Sequence, residues 1–306
     1  MSILMLYLWK SVVTVGLFFY LILGLWVAPS WAESVNADRS PTAFQAGLQF
    51  YRAGEYKQAV TAFTQAIAHR SDHASAYSNR CLSYMQILDY EQAIADCTQA
   101  IALNPRDLEA YLTRGLAAHK LGDHDQAIAD YNQVLAYDTT DYRAYYNRGL
   151  AQFALAHHEQ AIADYGQAIQ QGAHLDPRSL AEFYDDRGLV HLAQHDHDSA
   201  IDNFNQAIAL DDLNVRAYFN RACAYHQQQD WVAALQDFDQ VVKVSPDHAE
   251  ALLNRGLIHQ HLGDIDQAIA DLHQAATCFC DQGHMQAYRQ TLALLTRLQF
   301  PPSLVG

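Results

Sequence analysis

A 34-residue repeat is the feature of this sequence that most constrains its fold. Alanines recur at that spacing in two runs separated by one break. They are Ala59, Ala93, Ala127, Ala161, Ala200, Ala234 and Ala268. A fixed period of this length marks one supersecondary unit stacked in tandem, so we expect an array of units rather than one central core.

Three further markers share the register of these alanines. A small residue lies twelve positions before each alanine, a large apolar residue usually lies four after it, and alanine or valine lies seven after it. The first set is Gly47, Cys81, Gly115, Gly149, Gly188, Ala222 and Gly256; the second is Phe63, Tyr131, Tyr165, Phe204, Phe238 and Leu272, with Cys97 in the second unit. Such spacings lie on one helical face, and small residues recur where two helices approach closely.

A short turn separates the two helices of each unit. Segments such as Gly122-Asp123-His124 place an acidic residue before the second helix, where it can cap that helix or meet its positive dipole end. Units tend to close with proline, as in Asn104-Pro105 and Ser245-Pro246, because the residue before proline resists the helical region. The predicted unit is therefore helix, turn, helix, turn.

This pattern resembles the tetratricopeptide-repeat (TPR) family over about residues 40–280. The resemblance implies an all-α fold, a right-handed superhelical α-solenoid of seven TPR helix-turn-helix repeats plus a C-terminal capping helix. The expected repeats are 40–73, 74–107, 108–141, 142–175, 181–214, 215–248 and 249–282, with an insertion at 176–180, the cap at 283–300 and a tail at 301–306. Asp176-Pro177 is typical of a helix start, so the first helix of the fifth repeat should be longer than the others.

The first 32 residues differ in composition from the rest. They are apolar from Met1 to Val27 with Lys10 as the only charge, and Ser30 and Ala32 are small residues at the −3 and −1 positions of a cleavage site. Residues 1–32 are therefore interpreted as a signal peptide or as an uncleaved N-terminal transmembrane anchor, with a linker at 33–39. Both interpretations place the array in an extracytoplasmic compartment, the periplasm or a lumen.

Charge and cysteine content limit the partners and the chemistry. Lys+Arg number 19 against 34 Asp+Glu, a net charge of −15. Nucleic-acid binding requires basic stripes and is not expected, whereas basic or neutral partners suit an acidic chain. The five cysteines show no spacing typical of a disulfide framework and are expected mostly in the core, with at least one thiol free or paired between chains under oxidising conditions.

The family resemblance also implies a partner-binding groove. In TPR proteins, positions 2, 5, 6, 9, 12 and 13 of the first helices line the concave surface. Its apolar residues here at positions 5 and 9 are Phe44, Leu48, Leu82, Leu112, Leu116, Tyr146, Leu150, Leu189 and Phe219. Its asparagines at position 6 are Asn79, Asn147, Asn220 and Asn254, which can hydrogen-bond an extended peptide backbone. The alternative is that these residues only support neighbouring helices.

Charged residues of the predicted groove approach the carboxylate clamp of the TPR family without completing it. Arg143 and Arg216 each precede an asparagine by four residues, as in the clamp, but Asp186 stands where the family pattern has asparagine. Asp185 adds a second carboxylate. An acidic C-terminal tail is therefore disfavoured as a ligand, and a Lys or Arg of the partner suits this segment better.

Arginine recurs at position 7 of six repeats, where the general family pattern has leucine. These residues are Arg80, Arg114, Arg148, Arg187, Arg221 and Arg255; position 23 holds Asp96, Asp130, Asp164, Asp237 and Asp271, with Asn203 in the fifth repeat. The first repeat has Ala46 and Ala62 instead. Because the two residue types occur together, structural pairing is favoured over a phosphate-binding stripe, and pairing within a repeat leaves only Arg187 without an acid.

Motifs for metal binding and catalysis are weak. The sixteen histidines include His195-Asp196-His197, but His195 and His197 fall in turn positions and lack further ligands, and Cys278-x-Cys280 has no second pair. No Gly-x-Ser-x-Gly turn or phosphate-binding glycine loop occurs. No metal, no cofactor and no enzymatic activity are predicted.

Three functional hypotheses follow from these patterns. The first is a non-enzymatic scaffold that binds a peptide or helical segment of an unidentified protein partner on its concave face, exported or membrane-tethered. The second is a membrane-anchored assembly or maintenance factor for a photosynthetic or envelope complex, which depends on the apolar N-terminal segment. An enzyme is a distant third.

Overall fold

A computed structural model describes residues 43–299, and every regular element in that range is a helix. Its helices are α1 (Ala43–Arg52), α2 (Tyr56–His69), α3 (Ala74–Gln86), α4 (Tyr90–Leu103), α5 (Leu108–Lys120), α6 (His124–Tyr137), α7 (Tyr142–Ala154), α8 (His158–Gln171), α9 (Pro177–Ala193), α10 (His197–Leu210), α11 (Val215–Gln227), α12 (Trp231–Val244), α13 (Ala249–Leu262), α14 (Ile265–Asp281) and α15 (Met285–Gln299). Two helices fall in each segment predicted as a repeat, except that α9 begins at Pro177 in the predicted insertion, and α15 falls in the segment predicted as the cap.

The N-terminal segment predicted as a signal peptide or anchor lies outside the described residues, as does the predicted linker. Between residues 43 and 299, no helix combines the length and the apolar character needed to cross a membrane.

The described chain divides between His174 and Leu175 into two compact units. The first unit, residues 43–174, holds α1 to α8, and the second unit, residues 175–299, holds α9 to α15. Within each unit the two helices of a repeat pack side by side, and the second helix also packs on the first helix of the next repeat. The last helix, α15, packs on α14 through Leu295, which is 3% exposed, and thereby covers apolar surface of the seventh repeat.

Acidic residues cap the second helices, as the turn segments indicated. Each accepts a hydrogen bond from the backbone N–H three residues further on: Asp89, Asp123, Asp196, Asp230 and Asp264. These bonds satisfy N–H groups that have no partner within the helix. Asp176 caps α9 in the same way, and α9 has 17 residues against 10 to 14 in the other first helices, as expected from the insertion.

The turn inside every repeat passes through the left-handed region at position 15. Three repeats have glycine there and four do not: Gly54, Gly122 and Gly263, against Leu88, Ala156, His195 and Gln229. A side chain in this region costs roughly 1–2 kcal/mol. Packing of the two helices therefore holds this turn, since the local preference of four of these residues opposes it.

Positions 8 and 24 of a repeat meet where its two helices cross. A Cβ atom added to Gly115 would lie 2.8 Å from the ring of Tyr131, and one added to Gly188 would lie 2.6 Å from the ring of Phe204. Both rings are completely buried. Glycine is needed at position 8 in these repeats because the ring at position 24 takes the space of a side chain.

The second repeat fills this crossing with a disulfide bond between Cys81 and Cys97. The interpretation that the cysteine spacings indicate no disulfide is wrong for this pair, because residues 16 apart face each other here with their Cα atoms 5.5 Å apart. Both cysteines are completely buried. Of the other three, Cys223 is in the core, Cys278 is partly exposed and Cys280 is exposed.

Removal of this disulfide should destabilise the chain mainly because the unfolded state is no longer cross-linked. The C81A/C97A variant should lose about 3 kcal/mol of unfolding free energy, because closing a loop of this length contributes about that much. The C81G/C97Y variant rebuilds the glycine and tyrosine of the third repeat and should recover part of the loss without a cross-link. Urea denaturation compares the two, and mass spectrometry of the unreduced, alkylated protein should find three free thiols. Five alkylated cysteines would contradict the disulfide.

Candidate partner-binding groove

An apolar strip runs across the first helices of the first unit. Neighbouring first helices contact each other, and position 9 is one of the positions that the family resemblance puts on their shared concave face. The position-9 residues of the first unit, which we call the leucine strip, are Leu48, Leu82, Leu116 and Leu150, and all four are partly exposed. In the second unit, Leu189 and Cys223 at this position are buried, and Leu257 is partly exposed. Most of the accessible apolar surface at position 9 therefore belongs to the first unit.

Position-5 residues of the first helices are mostly inaccessible in both units. Leu112, Tyr146 and Phe219 are 6%, 9% and 5% exposed. The Tyr146 ring packs 5.7 Å from that of Tyr165, which belongs to the second helix of the same repeat. Buried side chains of this kind support neighbouring helices, which is the alternative that the sequence analysis left open. Phe44 differs, because it is partly exposed in the first repeat.

The four position-6 asparagines fall into two groups. Asn79 is 3% exposed and donates to the carbonyl of Ser75 at 2.7 Å, while Asn220 is 4% exposed and donates to both carboxylate oxygens of Asp185. Asn147 and Asn254 are partly exposed, and neither side chain forms a hydrogen bond within residues 43–299. Only the second group has amides that can bind a partner, and Asn147 lies on the helix that carries Leu150.

Aromatic side chains at position 12, which the family resemblance puts on the concave surface with position 9, each have a ring partner that the sequence analysis did not predict. A residue at position 12 packs on one at position 17, across the turn inside the repeat. The pairs in the first unit are Tyr51 with Tyr56 at 5.4 Å, His119 with His124 at 4.8 Å and Phe153 with His158 at 5.8 Å between ring centroids. The spacing of five residues between these aromatic side chains recurs in the sequence and could have indicated the pairs. We call these six residues the aromatic border.

The arginine of the first-unit groove is neutralised by its own chain. Arg143 donates through Nη2 to Asp141 at 2.8 Å and through Nη1 to Glu109 at 3.1 Å, in the preceding repeat. These carboxylates raise the pKa of the arginine despite its partial burial. Arg143 is therefore an internal ion-pair residue here rather than part of a clamp for a partner carboxylate.

The charged segment of the second unit forms a compact ionic cluster. Arg216 donates to Asp185 at 2.8 Å and also to Asp186, and these two carboxylates are 1% and 5% exposed. Glu182 lies one turn before them on α9. Burial, with the neighbouring carboxylates, raises the pKa of Glu182 to about 7 and that of Asp185 to about 6. Asp185 and Asp186, which were predicted to face a partner, are therefore buried, and Glu182 is the more accessible carboxylate of the cluster.

The position-7 arginines bond within their own repeats. Five of the six use Nε and Nη2 to bind both oxygens of the position-23 carboxylate, as in Arg114 with Asp130 at 2.9 and 2.7 Å, while Arg187 has Asn203 at this position. The same geometry joins Arg80 to Asp96, Arg148 to Asp164, Arg221 to Asp237 and Arg255 to Asp271. A bidentate pair is among the stronger polar contacts that proteins form. The arrangement agrees with the same-repeat pairing that the register favoured.

A second contact links these arginines to the preceding repeat. The Nη1 group of Arg114 donates to Thr98 at 3.1 Å, and the equivalent acceptor of Arg148 is Asn132 at 2.6 Å. The same Nη1 group donates to Thr64 from Arg80, to Asn205 from Arg221 and to Asp239 from Arg255. Each of these arginines therefore connects three helices. Sequence analysis missed this contact, although a polar residue at position 25 recurs in the same register.

Histidines do not assemble a metal site in the described part of the chain. Between residues 43 and 299, no three His, Cys, Asp or Glu side chains are placed to hold one ion. His195 lies in a turn at φ 61°, and His197 contacts Gln227 at 3.0 Å. His119 and His124 approach within 3.1 Å through their Nδ1 atoms, and burial lowers the pKa of His119 to about 4.

Comparison with protein-family models places the chain in a known class. Models of the tetratricopeptide repeat match residues 44–82, 74–107, 97–129, 119–155, 142–171, 186–242 and 221–296. The chain belongs to the tetratricopeptide-repeat family, and its described part has the all-α architecture of that family. A comparison with curated proteins found no match.

Several solved structures share this fold. A tetratricopeptide repeat protein from Parabacteroides merdae is 17% identical, with 82% of this chain and 97% of that chain covered and a TM-score of 0.62. Pseudomonas aeruginosa pilF is 21% identical, with 74% and 99% covered and a TM-score of 0.60. YrrB, described as a TPR protein with an unusual peptide-binding site, is 22% identical, with 63% and 96% covered and a TM-score of 0.51. At these identities the likeness establishes the fold alone.

Replacing one partner of an ion pair in the arginine series should lower the unfolding free energy more than replacing both partners. The R114A variant leaves the carboxylate of Asp130, whose side chain is 2% exposed, without its guanidinium and should lose about 3–5 kcal/mol of unfolding free energy. The R114A/D130A variant copies the alanine pair of the first repeat and should be more stable than R114A. Urea denaturation of both variants measures the difference, and a double variant no more stable than R114A would contradict it.

The ionic cluster should make stability fall as pH rises. Burial raises the folded-state pKa of Glu182 to about 7, above the ordinary glutamate value, so the folded state holds this proton more tightly than the unfolded state. The resulting stabilisation is fully present below the ordinary glutamate pKa and is lost as pH rises through 7. The E182Q variant should therefore lose less stability than wild type between pH 5 and pH 8, by about 1 kcal/mol after allowance for solvent screening. Urea denaturation at both pH values measures this, with E159Q on the exposed face of α8 as control. Equal losses in wild type and E182Q would exclude the effect.

Proposed function

We propose that this chain is a non-catalytic scaffold that binds a segment of another protein on the groove of its first unit, outside the cytoplasm. The observation that carries the proposal is the leucine strip beside Asn147. Four leucines of one face remain partly exposed, and the adjacent amide has no hydrogen bond within residues 43–299. Membership of a repeat family and likeness to other TPR structures support a binding role.

The groove offers the two contacts that an extended or helical segment needs. Full burial of a leucine side chain contributes about 1.5–3 kcal/mol, so further burial of four partly exposed leucines supplies much of the affinity of a micromolar complex. The Asn147 side chain carries both a donor and an acceptor and can bond the backbone of the segment. The aromatic border adds flat apolar surface along the strip. YrrB, a protein of the same fold, is described as having a peptide-binding site.

Charge favours a neutral or basic partner segment. The chain has a net charge of −15, and Arg143 in this groove is already paired with Asp141 and Glu109. Arg143 is therefore not available to an acidic segment, and the field of the chain would slow the approach of such a segment.

An oxidising compartment suits the disulfide and the N-terminal sequence. Structural disulfides persist outside the cytoplasm and are rare within it, so the Cys81–Cys97 bond supports export. The apolar residues 1–32, with Ser30 and Ala32, support the same placement from sequence. A mature chain that starts at Glu33 would mean release after cleavage, and one that keeps Met1 would mean a membrane tether. Alkylation in intact cells that found Cys81 and Cys97 reduced would argue against this location.

Substitutions in the leucine strip should abolish partner binding without unfolding the chain. The L116Q/N147A/L150Q variant removes apolar area and the free amide from partly exposed positions, so partner retention in crosslinking pull-downs should fall at least tenfold. The control L121Q/Y137Q changes two residues that are 46% and 57% exposed outside the groove and should bind like wild type. Circular dichroism checks that all three proteins stay equally helical. Equal retention by the groove variant would refute the proposal.

A further inference from the structure

Arg187 is the one arginine of the position-7 series that meets no carboxylate in the described chain. Its Nε donates to Oδ1 of Asn203 at 2.7 Å, and its guanidinium lies 5.4 Å from the ring centre of Tyr184. Within residues 43–299, no acceptor bonds its two terminal nitrogens. The five other arginines of the series use those nitrogens for a carboxylate and for a second acceptor.

Two substitutions in the repeat pattern account for this difference. Position 23 is Asn203, whose amide nitrogen donates to the carbonyl of Ser199 at 2.7 Å and leaves a single oxygen for the arginine. Position 25 of the fourth repeat is Gly166, which has no side chain to accept a bond. The fifth repeat therefore keeps the cation of the series without the acceptors that accompany it elsewhere.

A shallow cavity of about 330 Å³, open to solvent, lies beside this guanidinium, within the second unit. It is lined by Arg187, Asp202, Asn203, Asn205 and Gln206, from α9 and α10. Asn205 accepts from Arg221 at 2.5 Å through its oxygen, so its NH₂ group remains as a donor. The cavity thus combines the terminal nitrogens of a guanidinium with amide donors, on a surface that small anions can reach.

The electrostatics of Arg187 differ from those of its counterparts. Burial lowers the pKa of Arg187, whereas hydrogen bonds and attraction to carboxylates raise the pKa of Arg80, Arg114, Arg221 and Arg255. A partly buried charge without a counterion is costly, and a bound anion would reduce that cost.

We propose that Arg187 and the cavity beside it bind a carboxylate group that the chain itself does not supply. The planar guanidinium matches a carboxylate in bidentate geometry, as the other members of the series do. Asp202 lines the same cavity and opposes the double charge of phosphate more than the single charge of a carboxylate. The group belongs either to a free organic acid or to a Glu or Asp side chain of a partner protein.

Titration with small anions tests the ligand class. Arginine Nε–Hε signals of the full chain are followed by NMR while sodium acetate replaces sodium chloride at constant ionic strength. The Arg187 signal should shift saturably with a dissociation constant on the order of millimolar, and the Arg221 signal, whose guanidinium is occupied, should not. Absence of saturation, the same response to chloride alone, or tighter binding of phosphate would overturn the proposal. Tighter binding of a capped Gly-Glu-Gly peptide than of acetate would identify a protein side chain as the source, and the reverse would identify a free acid.

Two substitutions separate a binding site from a structural arginine. The N203D variant supplies the missing carboxylate internally, so it should raise the Tm by about 2 °C or more and remove the acetate response. The R187Q variant lacks the reporting Nε–Hε group and is therefore judged by its stability: its Tm should be unchanged or raised, whereas R221Q should lower Tm because it leaves Asp237 unpaired. An acetate response that persists in N203D, or an R187Q variant destabilised as much as R221Q, would overturn the proposal. Because these residues lie outside the leucine strip, the outcome is independent of the proposed partner groove.

Discussion

The close approach of two helices at positions 8 and 24 is the constraint on which the rest of each repeat depends. The ring of Tyr131 occupies the space that a side chain at Gly115 would need, so these residues fix the crossing of α5 and α6. Arg114 and Asp130 come one residue before this pair in the sequence, with the same separation of 16 residues. The crossing that buries the ring therefore also brings the guanidinium to the carboxylate. The ion pair is a consequence of the apolar register, and it would lack its partner if that register shifted.

The second repeat shows that the crossing tolerates different chemistry. Cys81 and Cys97 replace the small residue and the ring, and the bond between them maintains the approach that the ring maintains elsewhere. Arg80 and Asp96 still pair beside it at 2.6 and 2.7 Å. A covalent link has thus replaced ring packing without changing the polar contact. Such a bond persists in an oxidising compartment and is rare in the cytosol.

Much of the fold was predictable from the sequence because its determinants are local and periodic. The caps at Asp89 and Asp123 depend on residues three positions apart, which a sequence displays directly. The cysteine pair was also visible, as two substitutions in facing columns of the repeat, but spacing rules for small disulfide-rich proteins do not detect it. Exposure was less predictable: Asn79 and Asn147 occupy the same position, yet only Asn79 bonds the carbonyl four residues earlier. That choice depends on how tightly neighbouring helices enclose each side chain, which no local pattern encodes.

Internal ion pairing decides what the acidic chain offers to a partner. Arg143 is bonded to Asp141 and Glu109, and Arg216 is bonded to Asp185 and Asp186, so both arginines of the incomplete clamp are already paired with carboxylates of the chain. In the first unit, the leucine strip and the amide of Asn147 then offer contacts that select shape and backbone rather than charge. Arg187 differs because its repeat has an amide in place of the carboxylate. Specificity for a charged group would therefore arise beside Arg187, where position 23 of the repeat holds an amide instead of a carboxylate. Apolar binding would arise at the leucine strip, where the position-9 leucines remain partly exposed.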